Sequence, residues 1–174
     1  MLCTIIGIMI ICKGGDQLKN MPAKTPISPH FSEDFSFKYK VTYGPEQHEY
    51  HTHKQFDIIF MLTPNSVCHV SEKNWKVPKN SIILFNNMDL HKITLNTHER
   101  FERYTLSFKP EYIESLSSKE TDLLECFFLR PFSNPYILPL TIPQAEECLT
   151  QLKRLITCND DTAKQDYGYD LKVK

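Results

Sequence analysis

The sequence predicts a mainly β protein, a jelly-roll-like barrel or sandwich followed by C-terminal α-helices. Three observations lead there. Between residues 35 and 108 the chain is a series of short alternating or apolar runs. Turn-forming clusters separate these runs. After Pro110 the apolar residues change to helical spacing. Many short strands with frequent turns close into a barrel, sandwich or jelly roll.

The elements follow in order. Residues 13–34 hold Gly14, Gly15, Pro22, Pro26 and Pro29, the composition of an arm or linker. Phe35, Phe37, Tyr39, Val41 and Tyr43 alternate with Ser36, Lys38, Lys40 and Thr42, which marks a half-buried strand ended by Gly44-Pro45. A second strand is expected over His51–Leu62, closed by Thr63-Pro64-Asn65-Ser66. Val67–Val70 and Trp75–Val77 form a hairpin around Ser71–Asn74. Ser81–Phe85 is a short strand, and Asn86-Asn87-Met88-Asp89 turns the chain. His91–Leu95 and Phe101–Phe108 complete the set, with Tyr104, Leu106 and Phe108 on one core-facing side. A helical turn or two is expected over Glu111–Leu116 and a helix over Ser118–Leu129. Pro143 starts the clearest helix. Ala145, Cys148, Leu149, Leu152, Leu155 and Ile156 make its stripe, with Glu146 and Glu147 early and Lys153 and Arg154 late, as the helix dipole favours. Asn159-Asp160-Asp161 ends it.

Bulk properties narrow the function. The chain has 174 residues, enough for one domain with a real core. Its formal net charge is −1, and no basic stripe of the kind that grips nucleic acid is visible. The six cysteines, at 3, 12, 68, 126, 148 and 158, include no C-x-x-C pair, so reduced thiols in a cytoplasmic protein are expected. The apolar run Thr4–Cys12 is too short to span a bilayer. It lacks the basic flank and cleavage site expected of an export signal and reads as an extension ahead of a start at Met21, with a buried strand or helix, or a membrane or export segment, as alternatives. No membrane partner is expected. With five glycines there is no phosphate-cradling loop, no G-x-S-x-G elbow is present, and no nucleophile system stands out.

One constellation can carry chemistry. His51 and His53 open the predicted second strand, where residues two apart face the same side, and Asp57 has the same parity. His91 opens another strand after a turn. Three imidazoles and a carboxylate suit a divalent metal. They also suit the lining of an organic-ligand pocket without metal, or a solvated barrel mouth. His48 and His98 fall in loops, and Trp75 either packs over the barrel or flanks a pocket.

His51-Thr52-His53-Lys54-Gln55-Phe56-Asp57 with the aliphatic run to Leu62 resembles the first motif of the N-terminal cupin domain of AraC-family regulators. Ser81–Ile93 is similar to the second motif, an aliphatic strand, a turn and a histidine. Phe101–Ile113 resembles the segment that leaves the barrel for the helices. The likeness spans roughly residues 35–157. Asp57 stands where a cupin metal site has Glu, Asn80-Ser81 replaces Gly-Asp, Asn87 replaces a frequent Pro, and Pro64 stands near a usual Gly. Asn tolerates the left-handed backbone such a turn needs. These departures weaken a metal-enzyme reading more than a sensor reading.

The resemblance implies an arm over 1–34, a cupin-like barrel over 35–110 and a helical dimerisation and linker segment over 111–174. It implies a small effector such as a sugar at His51, His53, Asp57 and His91, no resident cofactor or metal, no catalytic residues, and a homodimer formed through the helices. The family's helix-turn-helix module would follow near Lys174, so DNA contact is expected only through a part this chain lacks. The alternative is a small metal-dependent cupin enzyme, an isomerase or dioxygenase, with the same four residues as ligands.

Overall fold

The computed structural model describes residues 35–158 except 46–47, 96, 115–116, 118, 120–121 and 131–135. The predicted arm, the apolar run at 4–12 and the tail after Cys158 lie outside these residues.

Eight strands form two antiparallel sheets. They are β1 (Phe35–Tyr43), β2 (Phe56–Met61), β3 (Ser66–Val70), β4 (Lys73–Val77), β5 (Ser81–Phe85), β6 (His91–Leu95), β7 (Arg100–Phe108) and β8 (Ile137–Pro139). One sheet runs β1-β7-β2-β5-β8 and the other β4-β3-β6. Three helices follow the barrel strands: α1 (Pro110–Glu114), α2 (Glu125–Phe128) and α3 (Ile142–Cys158). The mainly β jelly-roll-like class with C-terminal helices is the observed one.

The two sheets close over an apolar bore. Ile59, Met61, Ile83, Phe85, Phe101 and Ile137 of the larger sheet meet Cys68, Val70, Val77, Ile93 and Leu95 of the smaller. The larger sheet's other face, with Phe56, Ile58, Phe60, Ile82, Leu84, Leu106 and Phe108, packs on Ile113, Phe127, Ala145, Cys148 and Leu152 of the helices. β2 and β5 are therefore buried on both faces throughout. That is why they read as continuous apolar runs rather than alternations.

Several boundaries differ from expectation for local reasons. The hairpin turn is shorter than predicted. Val70 pairs with Lys73 and His69 with Asn74, leaving Ser71 and Glu72 at the turn. The His69 ring bonds Asn74 Oδ1 at 2.6 Å and Thr94 Oγ1 at 2.8 Å, which holds Asn74 in the ladder. Asn80 adopts φ 56°, the left-handed conformation anticipated for it. In the segment read as the helix Ser118–Leu129, helix is present only over Glu125–Phe128 among the described residues. Asp122 Oδ1 accepts from the Leu124 N–H, and Ser117 Oγ from that of Leu123, giving the backbone a local alternative to helix. β8 is too short to show a period, and its Pro139 is accommodated at the sheet edge. α3 starts as expected. Its cap is Thr141, whose N–H donates to Gln144 Oε1 while the Ala145 N–H donates to the Thr141 carbonyl.

Candidate functional site

The predicted strand His51–Leu62 is not continuous. His51 makes an isolated bridge, residues 52–55 are outside any strand, and β2 begins at Phe56. Shared strand parity therefore does not bring His51 and His53 to Asp57. The His53 ring is one cause of the break, since its Nδ1 bonds the Gln55 carbonyl at 2.7 Å and fixes a local turn in place of a ladder. Two other contacts do the gathering. His51 and His91 exchange backbone hydrogen bonds, each 3.0 Å, so the second strand's approach is tied to the start of β6. After the bend at Lys54-Gln55, Asp57 faces the bore opposite Phe85, and His53 Nε2 lies 3.1 Å from Asp57 Oδ2.

All four predicted residues meet at one end of the barrel. The ring centroids of His51 and His91 are 4.5 Å apart, those of His53 and His91 5.2 Å, and those of His51 and His53 5.8 Å. One ligand atom from each histidine lies within 4.8 Å of the others. Each Nδ1 faces a carbonyl, of Glu49, Gln55 and Asp89 respectively, at 3.0, 2.7 and 2.9 Å. A carbonyl only accepts, so each Nδ1 carries its proton, and the Nε2 atoms of His51 and His91 are left as acceptors.

Their electrostatics differ. The hydrogen bond that His53 donates to the Asp57 carboxylate holds the His53 pKa above the usual histidine value against the opposing effect of burial. Burial pulls His91 below that value, and the nearby His51 and His53 add to this. His91 also stacks on Phe85 at 3.8 Å. Asp57 is buried and its Oδ1 has no hydrogen-bond partner. The described cysteines are inert by comparison: burial pushes Cys68 up to about 12, and Cys126 and Cys148 to about 11.

The same mouth contains groups that sequence patterns do not mark. Asp89, at the end of the β5–β6 turn, accepts from the Asn86 N–H at 2.7 Å and pairs with Arg130 at 2.9 Å. The Arg130 guanidinium lies 4.8 Å from the centre of the Tyr136 ring, and Tyr136 meets Trp75 edge-on at 5.2 Å. Trp75 thus packs against the core between the sheets, the first of its two expected roles. An arginine after a short helix has no spacing signature that could have announced it. Outside the barrel, a groove of about 650 Å³ between Lys54, Asn87 and residues 109–112 contains none of the four predicted residues.

Comparison with known proteins identifies the architecture. The sequence profile of the AraC-like ligand binding domain matches residues 39–172. Two structures of ToxT from Vibrio cholerae superpose with a TM-score of 0.53. One, from strain O395, holds (E)-4-(8-methylnaphthalen-1-yl)but-3-enoic acid; it is 13% identical, with 80% of this chain and 53% of ToxT covered. The other, from strain SCE256, holds an unsaturated fatty acid; it is 12% identical, with 82% and 52% covered. This chain thus spans about half the length of ToxT. A Cupin 2 conserved barrel protein from Salinispora arenicola CNS-205 is similar at 16% identity and a TM-score of 0.42, over 55% of this chain and 76% of that one. No curated protein matches in sequence. No helix among the described residues is long and apolar enough to cross a membrane. With the profile covering most of its length and the predicted barrel in place, the chain belongs to the AraC-like ligand-binding domain family.

Proposed function

We propose that this chain is the effector-sensing part of a cytoplasmic transcription regulator. The barrel, 35–110, takes a small molecule such as a sugar at His51, His53, Asp57 and His91. The segment 111–174 pairs two copies, and 1–34 is an arm. DNA is contacted by a helix-turn-helix module outside these residues. The chain performs no chemistry on its effector. The observation that carries this reading is the step in polarity along the bore. The inward side chains of the two sheets are Ile, Val, Leu, Met and Phe, and Asp57 and the three histidines converge at one end of them. A few placed polar groups against apolar surface are the usual form of a small-molecule site. Family membership supports the sensing role, and the ligands held by ToxT support a small organic effector.

A thermal-shift screen of metabolites against the chain in EDTA tests this. At least one compound should raise the melting temperature in a concentration-dependent way, the added folding stability reaching about 2.7 kcal/mol at a hundred times Kd. His91→Ala should abolish the shift. A wild-type chain that no compound stabilises would overturn the proposal.

A second reading has its own observation. The three histidines, with one ligand atom each within 4.8 Å of the others, fit a divalent cation, as in a small metal-dependent isomerase or dioxygenase that would add Asp57 to the set. Such an ion would supply Lewis-acid or redox chemistry to a bound substrate. Stoichiometric metal in protein purified without chelator, lost in a His51→Ala/His53→Ala variant, would favour this reading over the sensor.

A further inference from the structure

The groove outside the barrel has three walls, all at the histidine end of the strands. Lys54 comes from the bend before β2, Asn87 from the β5–β6 turn, and Lys109, Pro110, Glu111 and Tyr112 from the exit of β7 into α1. Its volume of about 650 Å³ is in the range of pockets that hold small organic molecules, and is far more than a bare ion fills.

The lining has a sign. Two ammonium groups, of Lys54 and Lys109, stand against one carboxylate, that of Glu111. The whole chain carries −1, so this positive excess is local. Lys54 and Asn87 are exposed, and among the described residues their side chains make no hydrogen bond or ion pair. An ammonium and an amide are thus available to donate to one ligand in one cavity. The Tyr112 ring stacks on Phe35 at 5.4 Å, so this wall is fixed before anything binds. Pro110 adds apolar surface beside it.

We infer that this groove is a second ligand site, for a small organic anion whose carboxylate or phosphate lies between Lys54, Lys109 and Asn87. The inference does not rest on the sensing reading, since it needs no ligand in the barrel. A lysine ammonium is a point charge with three rotatable donors and serves either anion. The walls are also the supports of the histidine cluster. Lys54 adjoins His53, whose Nδ1 donates to the Gln55 carbonyl. Asn87 belongs to the turn whose Asp89 carbonyl accepts from His91 Nδ1. An anion across the groove therefore ties the bend at 54–55 to the turn at 86–89, and steadies both histidines from outside the barrel.

Calorimetric titration of the full chain at constant ionic strength tests this, with amide NMR shifts to locate the ligand. The probes are glycerol 3-phosphate and succinate, each beside an uncharged counterpart, glycerol and succinamide. At least one anion should saturate a single site and shift the amides of Lys54, Asn87 and Tyr112, while its counterpart does not bind. Which anion binds separates phosphate from carboxylate, and binding of both means that charge alone is recognised. Lys54→Gln should weaken the anion about tenfold with unchanged far-ultraviolet circular dichroism. Glu111→Gln should tighten it, because a like charge is removed. That opposite change carries the test should Lys54→Gln not fold. His51→Ala should leave the affinity as it is.

If neither anion saturates, or shifts spread over the surface without saturation, only adventitious ions bind and the inference falls. It falls equally if the uncharged counterpart binds as well as the anion, if Lys54→Gln binds as tightly as the wild type, or if Glu111→Gln brings no gain. Binding that is lost in His51→Ala and kept in Lys54→Gln would put the anion in the barrel. That result overturns the groove site and leaves the sensing reading standing.

Discussion

His91 shows how one side chain can make the barrel sensitive to acid. It is 2% exposed, stacked on Phe85, and held as the neutral imidazole by burial. Its folded pKa lies below the unfolded value of 6.5, so the folded state resists a proton that the unfolded state accepts. The contribution is intact above 6.5 and is lost as pH falls toward the folded pKa. His53 works in the opposite sense. Its raised pKa adds stability that is full below 6.5 and is lost as pH rises through the folded value. Melting temperatures of the wild type and His91→Gln, measured from pH 5 to 8 in EDTA, separate the two. The wild type should lose more stability than the variant on going below pH 6.5, and equal acid limbs would refute this. The residue types of this cluster were legible in the sequence, since His-x-His, an acid and a later histidine after a turn are visible in one dimension. The cause of their convergence was not. It lies in a backbone bridge between positions 51 and 91 and a bend at 54–55, not in strand parity. Arg130 was illegible for a related reason: the Asp89 that makes it a site residue is 41 positions away.

At the scale of elements, α3 shows what a periodic stripe can and cannot reveal. Its spacing identified the helix and the buried side but not the surface that buries it. Ala145, Cys148 and Leu152 pack into the core between the helices and the larger sheet, with Leu149 against it. The described part of the stripe is therefore occupied within the chain; the side chains of Leu155 and Ile156 lie outside the described residues. Leu152 is fully buried, and Leu152→Ala should cost about 3 kcal/mol, the range for deleting a core leucine. Exposed Glu146, changed to Ala, should cost less than about 0.5 kcal/mol. Chemical denaturation of both variants checks this, and equal losses would mean that α3 is not docked on the sheet. The alternation of β1 and the apolar runs of β2 and β5 were equally readable, because each strand's environment is set by its own pattern. Helix length around residue 122 was not, because Ser117 and Asp122 side chains compete there for backbone donors.

At the scale of the whole molecule, the proposed pairing of two copies has to use surface other than the stripe's docked part. The helical segment exposes Phe128, Leu129 and Ile142, at 56%, 64% and 71%. Light scattering behind size exclusion should give twice the 20.4 kDa of one chain, and Leu129→Glu should shift the mass toward the monomer. A wild type that stays monomeric across the accessible concentration range would refute pairing by this chain alone. The double burial of β2 and β5 also constrains protein engineering. To wire this sensor to a different output, one would be tempted to cut at Pro110, where the barrel strands other than β8 are complete. That cut would strip Ile58, Phe60, Ile82 and Leu84 of Phe127, Cys148 and Leu152, and present a greasy sheet to water. A transplant that is to remain soluble has to carry α3 past Leu152, so the smallest portable version of the sensor includes the helical layer as well as the barrel.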